Sequence, residues 1–278
     1  MTARPLLIAQ ISDLHVKRPG VLAYRKVDTA AALARCVAAL NRFVPRPDLV
    51  VVSGDLVDTP AAEEYEHLTR LLAPLEIPFA AIPGNHDDRA LLRRALPQAG
   101  APAHGPLNLV RRVGPLDAVL VDSTVPNAPH GELDARTLDW LAAVLAAAPE
   151  RPALLFMHHP PFATGIGHMD VQNLRDAEAL ADLLRRAPRV RLVAAGHVHR
   201  AVLTTFAGVP TTICPAPNHA VALDLDARWP PSLTVEPPAF HLHAWFADGD
   251  FGRVVTHHVP IGDFAGPYPF FDRDGRLL

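Results

Sequence analysis

LLIAQISDLH, residues 6–15, is an apolar, β-like run that stops abruptly on Asp13 and His15. Four more segments repeat the pattern: DLVVVSGD (48–55), PFAAIPGNH (78–86), ALLFMHH (153–159) and VRLVAAGHVH (190–199). Their ends supply Asp13, His15, Asp55, Asn85, His86, His158, His159, His197 and His199. A nitrogen- and oxygen-rich set without thiolate suits a pair of hydrolytic divalent ions such as Mn, Fe, Zn or Co. One such motif could be an accident of composition. Five in this order, each at a strand end, point to a metal centre.

Spacing supports the same reading. Asp13 and His15 are two residues apart, as are His197 and His199, so an extended backbone would turn each pair to one side. Gly54 lets backbone approach closely beside Asp55, whose two carboxylate oxygens can bridge two cations. A bridge is needed because ions about 3.5–4 Å apart repel one another. Asn85 offers a neutral carbonyl oxygen to the second ion. Most of the 15 histidines carry no such context. His67, His104, His130, His257 and His258 read as ordinary surface or core residues, and His241 with His243 as one polar strand face. Asp58 and Asp87 read as loop, cap or supporting residues.

Around these motifs the chain alternates strand-like and helix-like segments from residue 5 to 200. Strands are expected near 6–12, 48–53, 78–82, 117–122, 153–157 and 190–195. Helices are expected near 28–42, 61–73, 88–96, 134–148 and 174–187, with Asp134 as a cap for TLDWLAAVLAAA. Such alternation predicts an α/β fold with a largely parallel sheet and ligands at the strands' carboxyl ends. Past Arg200 the pattern changes to strands at 201–225, a Pro-rich break at 229–238, and two alternating strands joined by DGDFG. This predicts a catalytic domain over 1–235, closed by a second, more antiparallel sheet. A C-terminal β extension over 236–278 would serve packing or oligomerisation.

A chain of 278 residues, 49% hydrophobic, can bury one large core or two modest ones. Its net charge of -3 gives no electrostatic footprint for nucleic acid or an anionic membrane. Gln10, Ser12 and Asp13 interrupt the first apolar run, which reads as a strand rather than a leader or a span. Cys36 and Cys214 read as buried or free thiols in a reducing cytoplasm, with one disulfide as the alternative.

Asp13-Leu14-His15, Gly54-Asp55, Gly84-Asn85-His86-Asp87, His158-His159 and Gly196-His197-Val198-His199 together resemble the calcineurin-like metallophosphoesterase superfamily over about residues 6–200. Within it, HHPPF, GIGHMD and GHVHR are similar to the bacterial class III cyclic nucleotide phosphodiesterases and the related glycerophosphodiesterases. The resemblance implies a four-layer α/β/β/α sandwich of two mixed sheets flanked by helices. It further implies that Asp13, His15, Asp55 and His199 hold one ion, and Asp55, Asn85, His158 and His197 the other. His86 would stand beside the phosphate and His159 behind its neighbour. Asp55, Asn85 and His86 are the implied catalytic residues.

The activity so implied is hydrolysis of a small phosphodiester by a metal-bound hydroxide, with His86 as candidate acid. A cyclic nucleotide such as 3′,5′-cAMP is the first substrate expected and a glycerophosphodiester the next. His168, Asp170 and Arg200 are candidate substrate contacts, the first two in a Gly-containing loop over 160–175 that would shape substrate choice. The rival reading, a phosphomonoesterase or protein phosphatase, needs cations for a dianion, and Arg89, Arg200, Lys17 and Arg18 are the candidates. A nuclease would need a basic, aromatic-lined groove. A non-catalytic scaffold should lack ligands, and none is lacking. Phe240, Trp245, Phe246, Phe251, Phe264, Tyr268, Phe270 and Phe271 crowd the last segment of a chain that is 6% aromatic. With strands at 239–246 and 252–259 offering an edge, they predict a homodimer or larger homo-oligomer.

Overall fold

The computed structural model of the chain describes residues 4–226 and 228–278. Its elements run β1 (Leu6–Ile11), α1 (Thr29–Arg42), β2 (Leu49–Ser53), α2 (Ala62–Leu72), β3 (Phe79–Ile82), α3 (Arg89–Ala95), β4 (Leu109–Val113) and β5 (Leu116–Val121). They continue with α4 (Ala135–Ala147), β6 (Ala153–Met157), α5 (Gly167–Asp170), α6 (Ala177–Arg185), β7 (Val190–Ala195), β8 (Val202–Phe206) and β9 (Val209–Ile213). The last are β10 (Ala220–Val221), β11 (Leu233–Thr234), β12 (Ala239–Phe246) and β13 (Arg253–Pro260). Asp28, Asp88 and Asp134 each accept a backbone N–H from the first turn of α1, α3 and α4, so three helix starts are set by one residue type.

Two sheets face each other. One has the order β13-β12-β1-β2-β3 and the other β4-β5-β6-β7-β9-β8. The period of two along each strand sorts side chains into layers. Leu7, Ala9 and Ile11 of β1 pack with Leu33 and Leu40 of α1 and Leu68 of α2 on the outer face of the first sheet. Val119, Leu155 and Val193 pack on Leu141 of α4 and Leu180 of α6 outside the second. Ile8, Val51, Leu154, Phe156 and Ala194 fill the layer between the sheets. This is the expected four-layer α/β/β/α sandwich.

β1, β2 and β3 run parallel, as do β5, β6 and β7. Their carboxyl ends meet at one edge of the sandwich, and all five motif segments end there. No helix among the described residues is long and apolar enough to cross a membrane.

Three expectations need correction. Helix α6 starts at Ala177 rather than near 174, because Leu174 and Arg175 give their N–H groups to Pro160 and Gly131 of neighbouring loops. Strand β4, with two arginines that hide its period, is an unforeseen edge strand antiparallel to β5. The third concerns the region past Arg200, whose only separate antiparallel sheet among the described residues is the two-stranded β10–β11 ribbon. β8 and β9 extend the second sheet, and β12 and β13 complete the first. β12 is hydrogen-bonded on both sides, to β1 and to β13, and seven of its eight residues are buried. The segment from 236 onward therefore divides: 239–261 is integral to the sandwich, with Ile261 buried in its core, and only 262–278 lies outside it. Of the two strands expected to offer an edge, only β13 does.

His241 and His243 share one face of β12, and that face belongs to the inner layer, where both are buried. Burial, helped by the nearby His258, pushes the His241 imidazole down from its ordinary 6.5 to about 4. A histidine depressed on folding adds nothing above its unfolded value, where both states are neutral. It destabilises as pH falls from 6.5 through about 4, because the unfolded chain takes up the proton first. Thermal melting should show acid destabilisation over that window, worth up to roughly 3 kcal/mol, and His241→Leu should flatten it. An unchanged pH dependence in that variant would remove His241 as the cause.

Candidate metal centre

β1 hands the chain to Ser12-Asp13-Leu14-His15, which runs beside the loop after β2. Asp13, His15 and Val16 donate their N–H groups to the carbonyls of Gly54, Asp55 and Leu56 at 3.0–3.1 Å. The backbone here is not extended. Asp13 and His15 have φ of 57° and 44°, Asp55 51°, His197 75° and His199 56°. The two-residue spacing thus works through left-handed residues rather than a continued strand. Such conformations cost roughly 1–3 kcal/mol each and persist where the surroundings enforce them. Asp and His are among the side chains that enter this region most readily.

The side chains converge. Nε2 of His15 and Nε2 of His158 each lie 3.4 Å from Oδ2 of Asp55. The other Asp55 oxygen accepts the His86 N–H at 2.9 Å. Nε2 of His199 lies 3.2 Å from Nε2 of His15 and 3.4 Å from Oδ1 of Asp13. Oδ1 of Asn85 is 3.2 Å from Nε2 of His158. One donor atom from each of Asp13, His15, Asp55 and His199 falls within 4.8 Å of the others, and so does one from each of His158, His159 and His197. His159 therefore stands closer to the donors than expected. Its Nδ1 bonds Ser123 at 2.8 Å, while its Nε2 and that of His197 are buried without partners.

Outer bonds aim the rings. Nδ1 of His158 donates to the Ser53 carbonyl at 2.9 Å and Nδ1 of His199 to the His219 carbonyl at 3.2 Å, leaving each Nε2 for the cluster. Nδ1 of His15 lies 3.3 Å from Asp58. Gly84 is required at its position: a Cβ there would stand 2.2 Å from the Asp55 carboxylate and 2.4 Å from its nitrogen. Asp87 accepts from Gly84, Leu56 and Tyr65, tying the turn after β3 to the loop after β2, which is the supporting role expected of it.

Electrostatics describe a site built for cations. Burial alone would raise the Asp55 carboxyl, but the imidazoles of His158 and His86 outweigh it and hold it well below the carboxylate range. Burial disfavours a charged His158, yet Asp55 prevails and lifts it to about 9. The proton so favoured sits between a carboxylate and an amide oxygen, where a shared cation fits equally well. Burial raises Asp13 and lowers His197 and His199, keeping those imidazoles neutral with lone pairs available. The donor set therefore fits divalent ions.

The centre floors a cleft of about 280 Å³ whose lining includes His15, Asp55, Asn85, His86, His197 and His199. His168 lines it. Asp170 and Arg200 do not. The Asp170 carboxylate is taken up by Thr164, Gly165 and Asn173 of its own loop, and Arg200 by the Val221 carbonyl and Glu236. Tyr24, Gln172, His219 and Ser232 line the cleft unforeseen. His219 had a legible signal: Asn218-His219 repeats the Asn-His pair of 85–86, and the Asn218 amide bonds the carbonyls of Asp13 and Leu14 at 2.9 Å. Tyr24 lies in a loop without any motif, whereas Gln172 belongs to the 160–175 loop expected to shape substrate choice, two residues past GIGHMD.

The sequence profile of the calcineurin-like phosphoesterases matches residues 6–201. The chain belongs to that family. It is 38% identical over 98% of its length to the whole of a protein named as a probable glycerophosphodiester phosphodiesterase GpdQ from Arcobacter nitrofigilis. It is 32% identical, over 82% of its own length and 84% of the other, to the 3′,5′-cyclic adenosine monophosphate phosphodiesterase CpdA of Escherichia coli K12. A dimetal phosphatase from Danio rerio shares the fold, with a TM-score of 0.65 at 16% identity over 94% of this chain and 100% of that one.

Asp55→Ala should strip metal and turnover together, because Asp55 Oδ2 stands 3.4 Å from a ring nitrogen in each donor group. Metal content after dialysis, read by elemental analysis, checks this. Retention of both ions with near-normal turnover would contradict a shared ligand.

Proposed function

We propose that this phosphodiesterase acts on small phosphodiesters, glycerophosphodiesters ahead of 3′,5′-cyclic nucleotides, with two divalent ions per chain. The carrying observation is the charge of the cleft. Its lining is imidazole, amide, phenol, hydroxyl and the Asp55 carboxylate beside apolar Met169, Val221, Pro231 and Leu233, and no Lys or Arg is among the residues that line it. The cations considered for a monoester dianion are not in the cleft lining: Arg89 is bound to Asp122 and the Thr124 carbonyl, Lys17 to Asp58 and Arg200 to Glu236, and Arg18 is exposed. A diester carries one negative charge and needs no further cation beyond the two metals. The relative matched over its full length favours the glycerol ester, whereas the CpdA likeness supports the cyclic nucleotide as the second reading.

Asp13, His15, Asp55 and His199 would hold one ion, and Asp55, Asn85, His158 and His197 the other. The donors fit Fe, Mn, Zn or Co, all of which accept imidazole and carboxylate. When bound, such ions acidify a water and stabilise charge on the phosphate as Lewis acids. The chain's own part is orientation and proton supply. The Asn85 amide can donate to a phosphate oxygen as charge develops. The His86 ring gives its Nδ1–H to the Asp58 carbonyl at 2.7 Å, which fixes the ring and leaves Nε2 free. To protonate the departing alkoxide, His86 must therefore enter the reaction as imidazolium. As the new P–O bond to the water oxygen forms and the bond to the alcohol breaks, the Nε2 proton passes to the alcohol oxygen.

Two broader features complete the proposal. Cys36 and Cys214 are both buried and unpaired, which supports a reducing cytoplasm. Phe264, Tyr268, Phe270 and Phe271 are 57–80% exposed beyond the edge strand β13, which supports a homodimer formed through 262–278. A chain ending near 262 keeps β13 and should be monomeric in light scattering, while a truncated dimer would relocate the interface.

Turnover should favour bis(4-nitrophenyl) phosphate over 4-nitrophenyl phosphate, and glycerophosphocholine over 3′,5′-cAMP. Preference for the monoester would overturn the diester reading, and preference for the cyclic nucleotide would reverse the substrate order. His86→Ala should keep its metal and lower kcat by about 10²–10⁴, with less loss for the nitrophenyl leaving group. Loss of an ion on that substitution would make His86 a ligand.

A further inference from the structure

Behind the metal centre, the apolar layer between the sheets holds one fully used polar chain. The side chain of Gln10, wholly buried in β1, donates from Nε2 to Ser53 Oγ at 2.8 Å and to the Ala195 carbonyl at 3.0 Å. Its Oε1 faces Nε2 of His243 at 3.1 Å, and Nδ1 of His243 faces Thr256 Oγ1 at 2.9 Å. The Ala195 carbonyl can only accept, so the amide cannot be reversed. Oε1 must then accept from His243, whose Nε2 carries the hydrogen, and Nδ1 must accept from the Thr256 hydroxyl. Burial pushes the His243 imidazole far below its ordinary value, consistent with this neutral form.

The chain's placement matters more than its strength. Gln10 is three residues before Asp13, Ser53 two before Asp55, and Ala195 two before His197. Its amide joins β1 and β2 of the first sheet to β7 of the second, just where the three ligand loops leave their strands. The Ser53 carbonyl also takes the Nδ1–H of His158, whose loop leaves β6. Four ligand-bearing strands in two sheets are thus indexed to one amide. That amide is itself fixed by two side chains of the β12–β13 hairpin, which carries no ligand.

Stability does not account for the arrangement. Replacing both partners of a buried hydrogen bond by apolar groups of similar shape is close to neutral or stabilising, and the neighbours here are Ile8, Val51 and Phe156. We infer that Gln10, held by His243 and Thr256, is a positioning residue that sets the spacing of the ligand loops across the two sheets, so that the C-terminal hairpin tunes metal binding from behind the site.

The inference rests on the metal reading above, and metal affinity of the full chain tests both separately. Titrating metal-free protein with Mn(II) and with Zn(II) should find the Gln10→Leu/His243→Phe double variant binding 10–100-fold more weakly, the range for outer partners of ligands. Its melting temperature without metal should match or exceed that of the unaltered chain, and kcat should fall more than KM rises. His243→Gln, which keeps an N–H donor for Gln10, should restore affinity that His243→Phe loses. Affinity within threefold of the unaltered chain in the double variant would overturn the inference and leave the metal reading intact. Failure of the unaltered chain to bind either ion would instead sink the metal reading. If the double variant does not fold, equal metal affinity of His243→Phe and His243→Gln would overturn the inference.

Discussion

Two buried carboxylates and a ring of imidazoles are packed closely together at the joint edge of the sheets. Asp55 Oδ2 has a histidine Nε2 on either side at 3.4 Å, and two histidine Nε2 atoms stand 3.2 Å apart. Buried charge is costly unless paired, and this set becomes mutually compatible only around positive charge. The rest of the architecture serves that convergence. Parallel strands in two sheets bring their carboxyl ends to one edge, left-handed residues turn the chain inward immediately beyond them, and Gly84 lets backbone pass against Asp55. The strain is held by core on both sides: Leu14, Leu56 and Val198, interleaved with the ligands, are wholly buried.

Much of this was legible beforehand, and the reason is local. A strand end and a ligand are adjacent in sequence, with Gly54, Gly84 or Gly196 between them in three of the five cases, so β1, β2, β3, β6 and β7 and the residues they deliver are directly legible. Asp13, His15, Asp55 and His199 converge, but Asp13 with His15, and His197 with His199, do so through left-handed residues rather than an extended strand. Spacing is visible in sequence, whereas a left-handed φ at a non-glycine residue is imposed by tertiary contact. Asp170 and Arg200 sat beside motifs and looked available for substrate. Their partners, Thr164, Asn173 and Glu236, come from loop closures that no periodicity announces. Tyr24 reaches the cleft from a loop for the same reason.

The C-terminal segment shows the limit most clearly. AFHLHAWF alternates in a way that fits an outer sheet with one polar face, yet it is an inner strand whose histidines face the core. Only the pairing with β1 distinguishes the two, and such long-range pairing is absent from a local pattern. Its placement also changes what the segment does. A hairpin that chemistry seemed not to need supplies the side chains that orient Gln10, and Gln10 spans the strands that carry the ligands. The free aromatic surface is left to the tail beyond β13.

The central claim is that one carboxylate, Asp55, joins two cations into a single centre. Electron paramagnetic resonance of the metal-free chain titrated with Mn(II) tests it most directly. Two ions sharing a carboxylate a few ångströms apart should give an exchange-coupled multiline spectrum as the second equivalent binds. An isolated six-line signal that only grows in intensity to two equivalents, or saturates at one, would contradict the account.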